Sequence, residues 1–429
     1  MSFGLELNDV RVLEFSVAWA GPMAGRWLGE LGADVIKIEH PTSRGLALSN
    51  GMVADPEWQW GELPSPALRN GIFPNNDPGE DWWNRLGYFN KINRTKRSLC
   101  LDLKAPGGWD VFAELVRRAD VVLNNYSPRG VKSLGIDHPS LRAINPRIVT
   151  VDLSGFGATG PEYDQVSWGP ILEGASGLAH ATGYADSGPY KQGLALPDAV
   201  GGLHGTVAIL AALWERELTG EAVHVDVSQL ETYLQFGGEL ALAASLGVPP
   251  PRQGNRRADL APQGVYPCRG SDQWIAITIP HDDAWARLVS VSADAALADG
   301  RWTRVAQRLA DHDEIDRAMA AWTAEHDAHA LMARLQAVDI PAGMVMANAD
   351  LASDAHLEAR GFMVQLDHPG AGSLGFPGFP VHFDRWTPTV RATPTLGQHN
   401  EEILRWLGYE APAIDALRAS GTITETPPG

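Results

Sequence analysis

The segment SVAWAGP (16–22) has the residue types and spacing of an anion-binding turn. It follows the apolar run RVLEF (11–15) and leads into MAGRWLGEL (23–31), whose apolar residues fall at helical spacing. A strand that ends in small residues and opens a helix can turn backbone amides toward a phosphate, and the helix N-terminus favours its charge. Ala18, Ala20 and Gly21 are small enough to let a pyrophosphate approach. An ordinary tight β–α turn has the same residues. Farther along, Glu173, His180, Asp198 and His204 are the groups available as general bases. Asp198 sits in PDAVGG at a helix start, where aspartate is a good N-cap, and that structural role is the expectation. Cys100 and Cys268 lie far apart with no histidine partner in sequence, so both are expected to be buried structural thiols.

Several chemistries lack their motifs. The first strand is not followed by GxGxxG, and GxxxxGK[ST], HExxH and GxSxG do not occur. A nicotinamide enzyme or a P-loop ATPase is therefore not expected, and no metal site is.

The elements that must position these residues alternate strand and helix. After DVIKIE (34–39) come the strands SLCLDL (98–103), DVVLNN (120–125) and RIVTVDL (147–153), with a helix over 105–118. The pattern predicts an α/β fold with a doubly wound, Rossmann-like parallel sheet. A long helix is predicted over about 198–217 and a second over 227–246. Near 250 the character changes. GVYPC (264–268) and QWIAITI (273–279) read as an antiparallel hairpin, followed by helices over about 282–291, 313–326 and 328–338. The predicted domains are 1–220 for the first part of the large domain, 221–339 for a linker helix and a small α+β domain, and 340–429 for the return to the large domain. Residues 41–92 are rich in Pro, Asn, Gly and Trp, with Trp58, Trp60, Trp82 and Trp83. This stretch is either a functional loop or arm, or a cap on the core.

With 429 residues, two domains are the prior. The formal net charge of −18 disfavours nucleic acid as a partner. No apolar run of membrane-spanning length and no signal peptide stand out, and two cysteines argue against a disulfide framework, so a cytoplasmic protein is expected.

Nearly the whole chain resembles the family III (CaiB–BaiF) CoA-transferases. The blocks AGPMAGRWLGELGADVIKIEHP (20–41), NRTKRSLCLDLKAPGG (93–108), SPRGVKSLGID (127–137), PDAVGGLHG (197–205) and PTLGQHNEEILRWLGY (394–409) are similar to that family in order and spacing. The resemblance implies coenzyme A as part of an acyl-CoA substrate and a carboxylic acid as its partner. It also implies an interlinked dimer, with the large domain built from both chain ends. By the same resemblance, Ala18, Ala20, His40, Lys96, Tyr126, Gly130, Ser133 and Leu134 would contact CoA. His40 and Ser133 stand where the family often has arginines, for which Arg94, Arg97, Arg129 or Lys132 could compensate.

The family's nucleophile is an aspartate about seven residues before the SGL turn. Here that position is Gly169, in SWGPILEGASG (167–177). Glu173 and Asp164 are the nearest carboxylates and the candidate replacements. Other possibilities stay open: a chain that pairs with a paralogous subunit carrying the nucleophile, an acyl-CoA isomerase, racemase or lyase using a general base, or a non-catalytic CoA-ester-binding subunit.

Overall fold

The computed structural model describes residues 6–42, 44, 73–248 and 251–427. Trp58 and Trp60 lie outside the described residues.

Six parallel strands form the main sheet: β1 (Arg11–Phe15), β2 (Asp34–Glu39), β3 (Arg97–Cys100), β4 (Val121–Asn124), β5 (Val149–Ser154) and β6 (Val223–Ser228). Their order is β3-β2-β1-β4-β5-β6, which reverses between β1 and β4, as expected of a doubly wound sheet. Helices of this unit are α1 (Ala20–Glu30), α2 (Gly87–Ile92), α3 (Gly108–Val116), α4 (Pro128–Leu134), α5 (His138–Ile144), α6 (Gly169–Ala175), α7 (Leu196–Thr219) and α8 (Gln229–Leu234).

Strand periodicity sends neighbouring residues to opposite faces. Val12, Val35 and Val151 pack with Ala24 and Leu28 of α1 and with Ile209 and Leu213 of α7. Leu13, Ile36 and Val122 pack on the other face with Phe112 and Leu115 of α3. By length and composition α7 could cross a membrane, but its buried residues pack on α1 and the sheet.

Residues 179–190 and 243–357 form a second compact unit. It holds the antiparallel strands β7 (Gln263–Pro267), β8 (Trp274–Thr278) and β9 (Ala342–Met344), with α9 (Asp282–Ser292), α10 (His312–Thr323) and α11 (Ala328–Gln336). The β7–β8 hairpin and the three helices are where the sequence pattern predicts them.

From residue 358 the chain returns to the first unit with the hairpin β10 (Met363–His368) and β11 (Gly372–Pro377), then α12 (Asn400–Leu407) and α13 (Ala411–Ala419). Ile403, Leu404, Ile414 and Leu417 join the α3 face of the sheet, so both chain ends build one core. The predicted boundaries shift. Residues 223–228, expected to lie beyond the first part of the large domain, form a strand of the main sheet, and the first boundary falls at 242 rather than 220. β9 pairs with β8, which moves the second from 340 to 358.

Candidate active site

The SVAWAGP turn leaves the end of β1 beside the reversal of strand order. Asn125, just past β4, holds it from the side. The Val17 amide donates to Asn125 Oδ1 at 2.9 Å, and Asn125 Nδ2 donates to the Val17 carbonyl at 2.8 Å. Ala18 adopts φ 55°, a left-handed conformation that costs an L-residue roughly 1 kcal/mol. Such strain concentrates at ligand sites. At Gly21, a Cβ would lie 2.6 Å from Ser16 Cβ and 3.0 Å from Asn125 Cγ, so the turn closes this tightly only on glycine.

Two cavities flank the turn. The first, about 420 Å³, is bordered by Ala18, Tyr126, Ser154, Trp168, Gly169 and Asp198. The second, about 230 Å³, is walled by Phe15, Ile38, Leu101 and Leu134, with His40, Asp102 and Lys104 supplying polar groups. Tyr126 borders both. Burial, aided by the charges of Glu14 and Glu39, pushes its phenol up to about 12, so it stays a neutral donor.

The residues expected to contact CoA are only partly gathered here. Ala18 and Gly130 border the first cavity, His40 and Leu134 the second, and Tyr126 both. Ser133 is exposed and lines neither cavity. Ala20 is buried, and its amide faces the Asp198 carboxylate rather than a phosphate. Lys96 also departs from expectation. Its ammonium is fully buried, 2.8 Å from Glu14 Oε2, and donates to the Pro22 carbonyl and Asn93 Oδ1, each at 2.9 Å. Those partners take all three of its donors. Of the proposed compensating cations, Arg94 is buried against Glu30, Arg97 pairs with Asp34 at 2.6 Å, and Arg129 pairs with Asp164. Lys104, which no sequence argument singled out, is the lysine on the second cavity.

The sequence pattern of CoA-transferase family III matches residues 7–400. The chain belongs to CoA-transferase family III. It is 30% identical over 402 residues to a succinate–glutarate CoA-transferase of Agrobacterium fabrum, covering 93% of this chain and 94% of that one. It is also 30% identical over 428 residues to a succinyl-CoA–D-citramalate CoA-transferase of Chloroflexus aurantiacus, covering 97% and 98%. A solved CaiB/BaiF family protein from Brucella suis superposes with a TM-score of 0.79 at 27% identity, covering 94% of this chain and 99% of that one. This is an enzyme of the CoA-transferase type, and its chemistry is CoA transfer.

Such a transferase needs a carboxylate at the thioester. Neither candidate named from sequence borders the first cavity. Asp164 is engaged by Arg129. Glu173 is 1% exposed, and its Oε2 accepts the Gln192 amide at 2.9 Å. Asp198 does border the cavity. It is not the N-cap of α7: Ala195 is, which places Asp198 in the first turn, within the helix. Burial raises its pKa to about 6, against the lowering effect of the Ala20 amide and its own amide, with Glu173 adding to the rise.

Proposed function

We propose that this family III CoA-transferase binds the nucleotide end of CoA in the second cavity and the thioester end in the first. Pantetheine would pass Tyr126 between them. The observation that carries this reading is the pair of cavities meeting at one tyrosine beside a strained β–α turn. The second cavity suits an adenine ring: aliphatic and aromatic walls face it, and Lys104 on its rim supplies a cation for phosphates. The first cavity, at about 420 Å³, suits a short acyl group, in keeping with the small acids in the names of its relatives. Free buried cysteines fit a reducing cytosol.

The test is CoA exchange between a short acyl-CoA and a free carboxylic acid, followed by chromatography of the thioesters. Lys104→Glu replaces a cation on the nucleotide cavity with an anion. It is expected to weaken CoA binding about tenfold by titration calorimetry, a loss of about 1.4 kcal/mol. Unchanged affinity would move the nucleotide elsewhere.

We also propose that a second copy of the chain covers the outer face of α7. Leu203, Val207, Trp214 and Leu218 form one helical stripe there, and Val207 and Leu218 are 66% and 68% exposed. Val207→Asp combined with Leu218→Asp is expected to shift the protein from dimer to monomer in light scattering with little change in circular dichroism. A dimer that survives both charges would place the interface on another face.

A further inference from the structure

We propose that the Ser154 hydroxyl is the hydrogen-bond donor that meets the thioester carbonyl oxygen of acyl-CoA in the first cavity. The inference rests on the placement of the thioester given above and names a catalytic residue for it.

Buried hydroxyls nearly always find a hydrogen-bond partner inside a protein. Ser154 is 5% exposed, and its Oγ has no partner among the described residues. Leaving such a group unpaired costs stability, and alanine at this position would avoid that cost. Ser154 borders the first cavity, so the partner that justifies it is a ligand atom. Two neighbours on the same wall are engaged elsewhere. The Asn125 side chain holds both the amide and the carbonyl of Val17, and Gln229 Nε2 donates to the Leu153 carbonyl at 3.2 Å.

The backbone fixes where the hydroxyl can be. Ser154 is the last residue of β5 and pairs with Ser228 of β6. The following carbonyl, of Gly155, accepts the Leu230 amide at 2.9 Å and the Ser228 hydroxyl at 3.4 Å. Ser167 packs so closely on Gly155 that a Cβ there would lie 2.5 Å from Ser167 Cβ. A donor held in this way needs little reorganisation when charge develops in front of it.

The cavity also selects the kind of oxygen. No lysine or arginine borders it among the described residues, whereas Asp198 does, an anion above about pH 6. A free carboxylate resting there would be repelled, and an uncharged carbonyl oxygen would not. Gly169 leaves room on the same wall: a Cβ there would lie 2.4 Å from Asp198 Oδ2 and 2.4 Å from Ala195 Cβ. When the thioester carbon is attacked, the carbonyl π pair moves onto oxygen. The hydrogen bond from Ser154 strengthens as that charge grows, while the proton stays on Oγ.

The test reads the carbonyl itself. The probe is the dethia analogue of acetyl-CoA, a ketone with a methylene in place of sulfur, isotope-labelled at the carbonyl carbon and bound to the whole protein. On wild type its infrared carbonyl band is expected below its frequency in water, and most of that shift should be lost on Ser154→Ala. In CoA exchange between a short acyl-CoA and a free acid, Ser154→Ala should lower kcat about 100-fold. Its CoA affinity should stay within about threefold, and Ser154→Thr, which keeps a hydroxyl, should recover about tenfold of the lost kcat. The melting temperature of Ser154→Ala should match or exceed that of wild type, because alanine removes an unpaired buried group. A wild-type band no lower than in water overturns the assignment whether or not the variant folds. An equal band on Ser154→Ala, a kcat within about threefold of wild type, or a clear loss of thermal stability also overturns it, and each leaves CoA transfer intact. A wild-type protein that binds CoA and transfers it between no thioester and short acid overturns the functional reading and this inference with it.

Discussion

Gly169→Asp, which puts an aspartate where the family resemblance expects one, is expected to destroy activity rather than raise it. The new Cβ would meet Ala195 Cβ at 2.4 Å, far inside the ~3.5–4.0 Å at which carbon atoms attract. Asp198 could swing away, but Ala195 has no side-chain freedom to yield. It is the N-cap of α7, so relieving the clash shifts the helix start that carries Asp198. Overpacking of this kind costs about 1–3 kcal/mol. The second carboxylate adds like-charge repulsion at a site where burial already raises Asp198 to about 6. Because displacement of a reacting group by about 1 Å can cost a hundredfold, kcat for CoA transfer should fall by ~100-fold or more. Gly169→Ala separates the two effects, since it brings the steric clash without the charge. It should lower thermal stability and activity by less than Gly169→Asp does. A Gly169→Asp enzyme faster than wild type would show that position 169 can host a catalytic carboxylate.

The architecture was legible because its signals are local. Val12 and Leu13, Val35 and Ile36 alternate across a sheet whose strands are short apolar runs, and small residues mark the turn at Ala18 and Gly21. The error at β6 has a local cause too. Val223, Val225 and Val227 alternate with polar residues in an edge strand, a period-two signal that lies just past the boundary expected at 220. The site was less legible because its decisive contacts are tertiary. Nothing in SWGPILEGASG tells that α7 brings Asp198 against Gly169, and a Pro-Asp helix start reads as capping. Lys96 shows the same limit. A lysine between arginines suggests a phosphate contact until β1 is seen to set Glu14 beneath it. Sequence spacing marks where the strands end and turn but not the partners of the charges there.

That buried charge cluster carries the second large effect. Glu14→Gln is expected to destabilise the fold by about 3–5 kcal/mol, because it leaves buried ammonium groups without their counter-charge. Glu14 is 0% exposed and sits 3.0 Å from Lys37 Nζ and 2.8 Å from Lys96 Nζ. Burial alone would push its pKa up, but the two lysines outweigh burial and hold it below its ordinary 4.5. Its stabilising contribution is thus fully present above 4.5 and is lost as the pH falls through the lowered value. Lys96 carries the opposite tendency. Burial brings its pKa down to about 7, with Glu14 opposing that fall and Lys37 adding to it. Removing Glu14 takes away the opposition, so the variant should become more stable as pH rises and Lys96 sheds its proton. Urea denaturation at pH 6 and pH 9 should show Glu14→Gln closer to wild type at the higher pH, and Glu14→Gln with Lys96→Met should recover part of the loss at pH 6. Equal destabilisation at both pH values would mean that Lys96 is not the group left unpaired. The damage should also reach the site: Lys37 donates to the Ser16 carbonyl at 2.8 Å, and Ser16 begins the turn that leads to Ala18. Loosening that bond frees the strained alanine to relax, so CoA affinity should fall along with stability, and the pH that restores one should restore the other.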